Sequence, residues 1–295
     1  MTVAAPAGTA VSGGRGSLSA FLNRHRRLQL TLLLSAPMFW LVVAYLGAIA
    51  VLLISAFWTT DSFTGEVLHT FSTGNFHDIL TDSLYRTVTV RTIVVALLVT
   101  VVDAVIALPV AFFMSLIAGS RTRQLMVVAV LTPLWASYLV KAYAWRTILA
   151  PNGPLSDSTG GHTPGYGLPA TVITLAYLWL PYMVIPIFAG FERVPRSLLE
   201  ASADLGAPTG RTIRSVILPL LFPAIAAGSI FTFSLSLGDF IAVTIVGGKT
   251  QLLANLIYEQ INLNQPLAAA LSVVPLVAIV LYLVAMKRTG ALENV

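Results

Sequence analysis

The chain has no cysteine among its 295 residues, which excludes disulfides, a thiol nucleophile and a thiolate metal site. It is also poor in charge. Asp, Glu, Lys and Arg make up 10% of residues, against about 25% in an ordinary soluble domain. Histidine is scarce: His25, His69, His77 and His162 all lie outside the apolar runs. No H-e-x-x-h pattern or intramembrane nucleophile with a base is present, so a membrane hydrolase finds no support. Nor is there a G-x-x-x-x-G-K-[ST] loop to cradle a nucleotide phosphate. What is abundant is apolar surface, at 57% of residues against roughly 45–50% normally. These features point to a chain that catalyses nothing itself and lives in a membrane as an all-α protein, because helices satisfy their own backbone in lipid. The net charge of +5 could suit nucleic acid. Its distribution argues otherwise, since the basic residues flank apolar runs as topology signals do.

A membrane span takes about 20 mostly apolar residues. Six segments qualify, near 30–57, 92–118, 125–148, 169–190, 216–237 and 266–286. The stretch after Arg24 to Arg27 is about twice the length of a signal-peptide core and reads as a retained span. Residues 1–27 read as a disordered tail rich in Ala, Gly, Ser and Thr; residues 28–295 read as one transmembrane domain. Twelve of the 17 Lys and Arg fall at the N-terminus, at 119–124, at 191–215 and at the C-terminus. That asymmetry places both termini and the 191–215 insert in the cytoplasm. Pro109, Pro133, Pro181, Pro186, Pro219, Pro223 and Pro275 interrupt the spans. Each frees a carbonyl that needs another partner in lipid, and together they favour a kinked polytopic bundle around a cavity.

The insert from Glu200 to Pro219 is polar between two apolar runs. Pro195 suits the first position of a short helix, and Gly206 suits the left-handed residue just past its end. At helical spacing Leu198, Ala201, Ser202 and Leu205 share a face of mostly small side chains, while Glu200 and Asp204 share an acidic one. Thr209 can cap a second helix that runs into the membrane. An amphipathic loop lying on lipid headgroups accounts for the periodicity equally well.

Residue order separates these readings. Glu200-Ala201-Ser202, three residues, Gly206, nine residues, then Val216-Ile217-Leu218-Pro219 resembles the Glu-Ala-Ala motif of bacterial ABC importer permeases, with Ser202 and Val216 as mild departures. The resemblance implies the type I importer fold, six transmembrane helices, and a location in the bacterial cytoplasmic (inner) membrane. It implies that the insert is a coupling helix docking into a cytoplasmic ATPase, with Glu200, Ala201, Ser202, Asp204 and Gly206 as the coupling residues. The ATP and Mg would be used by that separate subunit, and this chain itself would carry no cofactor.

Leu131 to Leu155 and Phe233 to Gln260 further resemble permeases of the spermidine/putrescine type, and the B partner more than the C partner. The implied assembly is a heterodimer with a second homologous permease, two ATPase subunits, an extracytoplasmic substrate-binding protein and surrounding lipid. A related permease for an opine-like compound or another organic cation stays open.

A polycation path calls for aromatic faces and carboxylates. At 100° per residue Trp135, Tyr138 and Trp145 fall on one face of the third span, with Tyr143 close by; Trp179 and Tyr182 lie three apart on the fourth. Trp145 also suits an interfacial belt. Asp103 lies inside the second span and either faces the pathway or hydrogen-bonds a neighbouring helix. Lys141 is the one cation deep in the third span. At about 1.5 Å per residue it lies roughly 25 Å from the cytoplasmic edge, Asp103 roughly 12 Å, so Asp239 is the closer match for it. Lys141 and Arg146 run against a cationic solute unless they are paired or face the binding protein. An ion-coupled transporter would show inverted repeats and matching broken helices, which the sequence does not display.

Overall fold

The structure, a computed structural model, describes residues 26–61 and 63–289. The expected tail of residues 1–27 therefore lies, except for its last two residues, outside the described residues. Five helices are each long and apolar enough to cross a membrane, and a bent pair brings the number to six if the pair counts as one span.

The chain divides into two units, residues 1–54 and 55–295. The first holds α1 (Arg26–Trp40) and continues through a π-helical turn, Leu41–Leu46, into α2 (Gly47–Ser55).

The second unit opens with a two-stranded antiparallel ribbon, β1 (Thr59–Thr60) and β2 (Val67–Leu68). The loop between them turns on the Asp61 carboxylate, which accepts the backbone N–H groups of Phe63 and Thr64, and on Gly65 at φ +71°. A short helix, α3 (Gly74–Thr81), then leads into α4 (Ser83–Phe112), whose N-terminus is capped by Asp82 accepting the Leu84 N–H at 2.7 Å. The second span thus starts nine residues earlier than its hydrophobicity suggested. Arg86 and Arg91 ride on a helical extension whose start Asp82 fixes.

Two further π-helical turns adjoin prolines, Phe113–Ile117 after Pro109 and Ile213–Ile217 before Pro219. Proline removes an i→i−4 donor, and a widened turn is one way the ladder absorbs that loss.

The third span is the main departure from the sequence reading. α5 (Ser120–Trp135) ends where Ala136 and Ser137 turn extended, and α6 (Tyr138–Leu149) leaves at 99° to it. Trp135 and Tyr138 therefore do not share a helix face, and a fixed rise per residue no longer converts position into depth. After α7 (Pro154–Ser158) come α8 (Leu168–Glu192), the insert helix α9 (Arg196–Asp204), α10 (Thr209–Thr212) and α11 (Leu218–Gly238). The segment expected to be loop before the last span contains α12 (Ile241–Val246) and α13 (Leu253–Gln260); α14 (Gln265–Arg288) ends the described chain.

α4, α8 and α11 pack most closely. A Cβ built at Gly190 of α8 would lie 2.6 Å from the Ala224 Cβ of α11, and one at Gly228 of α11 would lie 2.7 Å from the Met183 sulfur of α8. The two spans approach through glycine because no larger residue fits. Towards the arginine-rich end Ala107, Met114, Ile187, Phe191 and Leu221 form the core; towards the other end Val99, Leu175, Leu178 and Ala242 do.

Candidate functional site

Two regions hold the residues singled out by sequence. The first is a cleft of about 390 Å³ lined by Tyr138, Trp179, Ser234, Gly238, Asp239 and Phe240, among others. Tyr138 is the first residue of α6, and the break in the span is what aims it there. Asp239 follows the last residue of α11, where the chain turns extended, and is 7% exposed. Its Oδ1 accepts the Ala242 N–H at 2.9 Å, capping α12, and its Oδ2 accepts the Tyr138 hydroxyl. A cap of this kind contributes about 1 kcal/mol. Asn255 steadies the same turn by donating to the Phe240 carbonyl and to Thr244 Oγ1.

Aromatic rings continue from this cleft along α8. Tyr138 lies 6.1 Å from Trp179, Trp179 lies 5.9 Å from Tyr182, and Tyr182 lies 6.3 Å from Phe231. Three of these four rings belong to the residues expected to line a path. Phe231, on α11, was not anticipated, and nothing short of the α8–α11 packing signals it.

The other expected pathway residues lie elsewhere. Trp135 is 92% exposed at the break, and Tyr143 is exposed on α6. Trp145 packs at 5.3 Å against Tyr177 in a separate cluster, away from the cleft. Asp103 is fully buried in α4, is not among the residues lining this cleft, and neither of its carboxylate oxygens has a hydrogen-bond partner among the described residues. The hydrogen bond expected as one alternative for it is not formed in this structure.

The expected match of Lys141 with Asp239 is not formed. The Lys141 ammonium donates to the Pro133 carbonyl at 2.9 Å, while Asp239 is occupied by Tyr138 and Ala242. The Arg146 guanidinium lies 5.4 Å over the Tyr166 ring. Both cations that ran against a cationic solute thus have partners other than Asp239, and neither lines the cleft.

The second region is the insert. α9 closes with a Schellman arrangement, in which the Gly206 N–H donates to the Ala203 carbonyl at 2.8 Å and the Ala207 N–H to the Ser202 carbonyl at 3.1 Å. Gly206 takes φ +70°, as its place past the helix end suggested. Pro195 precedes the helix by one residue rather than opening it. Thr209 is the first residue of α10, with Pro208 at the cap position, so Thr209 does not cap it.

The face assigned to Leu198, Ala201, Ser202 and Leu205 divides. Ser202 turns inward, its hydroxyl 2.8 Å from that of Thr212, and Leu199 and Ile213 seat the insert against the core. Glu200, Ala201 and Asp204 point outward, and Leu205 is 87% exposed at the tip. At the same end Arg123 of α5 pairs with Glu192 of α8, the only salt bridge among the described residues.

Comparison with known proteins agrees with this architecture. Residues 90–289 match the family described as binding-protein-dependent transport system inner membrane component. The inner membrane ABC transporter permease protein YdcU of Escherichia coli K12 is 39% identical, with 95% of this chain and 96% of YdcU covered. The spermidine/putrescine transport system permease protein PotB of the same organism is 29% identical, over 86% of this chain and 95% of PotB. PotB of Haemophilus influenzae is also 29% identical, over 92% and 96%. Among solved structures, a bacterial ABC transporter that imports the acidic polysaccharide alginate superposes at a TM-score of 0.64, with 18% identity, 92% of this chain and 99% of that chain covered. The MetNI methionine ABC transporter gives 0.55 and 20%, over 71% and 97%. At these identities the structural likeness speaks for the fold alone.

Proposed function

The chain belongs to the family of binding-protein-dependent transport system inner membrane components, and from that premise we propose that it forms half of the path by which a polyamine enters a bacterial cell. It is a multi-pass permease subunit of an ABC importer and not an enzyme; ATP is hydrolysed in a separate subunit.

The observation that carries it is the cleft that the Asp239 carboxylate, bonded to the Tyr138 hydroxyl, lines together with Trp179. A primary ammonium group binds carboxylates and aromatic faces, and the cleft offers both. The rings of Tyr182 and Phe231 extend the aromatic surface one turn further along α8 towards the arginine-rich end, as a path for a long, flexible polycation needs. PotB relatives carry spermidine and putrescine in their names, which supports the same class. The engagement of Lys141 and Arg146 elsewhere removes the main objection from the sequence.

By this reading α9 is the coupling helix. Glu200, Ala201, Asp204 and the exposed Leu205 meet the ATPase, Gly206 makes the tight turn, and Ser202 braces the knob from within. The complex holds a second permease, two ATPase subunits using ATP and Mg, and an extracytoplasmic binding protein, all at the inner membrane.

The test is uptake of labelled putrescine and spermidine by the whole complex in liposomes, with Asp239→Asn beside the wild type. Loss of one charge-assisted contact, about 1.5–3 kcal/mol, predicts a KM raised by roughly ten- to a hundredfold. An unchanged KM in Asp239→Asn would remove Asp239 from the path. A wild-type complex that neither transports nor is stimulated by any polyamine would end the polyamine reading.

A further inference from the structure

Lys141 stands at an odd place for a cation. It is in the first turn of α6, whose backbone N–H groups already give that end a partial positive charge, and its own N–H begins the helix by donating to the Ser137 carbonyl at 3.2 Å. A positive side chain there opposes the dipole of its own helix. Its ammonium instead reaches back across the break to the Pro133 carbonyl, 2.9 Å away.

The α5 end is where such a group is needed. The last four carbonyls of a helix have no intrahelical donor. Here the helix stops in the middle of a span, with Ala136 and Ser137 extended beyond it and with little water to take the place of a partner. No side-chain or turn bond other than that of Lys141 reaches the Thr132, Pro133, Leu134 or Trp135 carbonyls among the described residues. The ammonium supplies both a donor and a positive charge at the negative end of α5. The acid that competes for it, Asp239, has one oxygen on Tyr138 and the other on Ala242.

We propose that Lys141 is the positioning residue that fixes the break in the third span: by closing the carbonyl end of α5 it sets the angle at which α6 presents Tyr138 to the cleft. The inference concerns the shape of the span and stands whichever solute the cleft takes.

The absence of native cysteine allows a direct measurement. Val128→Cys on α5 and Ala144→Cys on α6, both exposed, carry spin labels in the full complex in lipid. Lys141 gives a single narrow distance distribution. In Lys141→Met the distribution broadens or shifts, and Lys141→Arg, which keeps charge and donors, restores it. Transport separates positioning from mere assembly: Lys141→Met raises the KM for solute about tenfold, the equivalent of one charge-assisted hydrogen bond, while basal ATP hydrolysis by the complex persists. If Lys141→Met fails to assemble, Lys141→Leu, which also lacks both donor and charge, takes its place in the same comparison.

An unchanged narrow distribution in the neutral variant overturns the inference, as does a changed distribution that Lys141→Arg leaves unrestored. Failure of polyamine uptake with the distance behaviour intact would overturn only the solute assigned to the cleft.

Discussion

Both oxygens of Asp239 are committed, one to the Ala242 N–H and one to the Tyr138 hydroxyl, so an ammonium group bound there, as proposed, would have to share or displace Tyr138. Asp61 shows the same economy outside the spans. The N–H of Thr64 and then that of Phe63 hold its carboxyl below the usual carboxylate range. A depressed carboxyl contributes to folding above its unfolded pKa and loses that contribution as pH falls through the lowered value. Backbone N–H exchange at residues 63–65 should therefore be slow near neutrality, once the intrinsic rate is allowed for, and lose its protection in acid. In Asp61→Ala the protection should be missing at every pH. Protection that ignores acid would show that the turn holds without the carboxylate. At this scale the sequence was legible where a residue's duty is local. Gly206 announced a left-handed position by following a helix and preceding Ala-Pro. Asp239 and Tyr138 could be suspected separately, but their 101-residue separation hid the bond between them. Ser202 passed for a docking residue because helical periodicity cannot say which neighbouring face the core will claim.

Among elements, the packing of α8 on α11 depends on two glycines placed where a side chain would collide. Gly228→Ala puts a Cβ 2.7 Å from the Met183 sulfur and 3.1 Å from the Met183 Cα. The sulfur can swing away but the backbone cannot, so overpacking of about 1–3 kcal/mol is expected. The melting temperature of the purified complex should fall, with a larger drop for Gly228→Val; equal melting of all three would mean the spans separate freely. Apolar length revealed five spans and the stretch of the bent pair, since hydrocarbon thickness sets it. It could not reveal the 99° break, because Pro133 marks a weakened ladder and not a direction. The helices α12 and α13 were read as loop because each is too short to display a period and both are fixed by distant partners, such as the Thr92 hydroxyl that accepts the Leu253 N–H.

For the whole molecule the question is how work done in one subunit reaches this one. Glu200→Ala is expected to leave insertion and assembly intact while uptake falls to background. The purified complex should still hydrolyse ATP without moving solute. Normal uptake by that variant would detach the insert from the motor. The helix and the left-handed turn of this insert were readable within some twenty residues, since both are built from contiguous chain. The cleft was less readable, because it is assembled from three distant stretches.

The glycine contacts between α8 and α11 carry one last implication. Those two spans flank the knob on either side in sequence, and they are pinned together at Gly190 and Gly228. If the knob is pulled, as the coupling role proposed for it requires, the two would swing as one lever. Trp179 rides on one arm and Asp239 follows the end of the other, while Tyr138 belongs to a helix outside the pair. Such a stroke would draw two jaws of a clasp past a stationary third, so that loosening of the grip on solute is built into the same movement that reorients the passage.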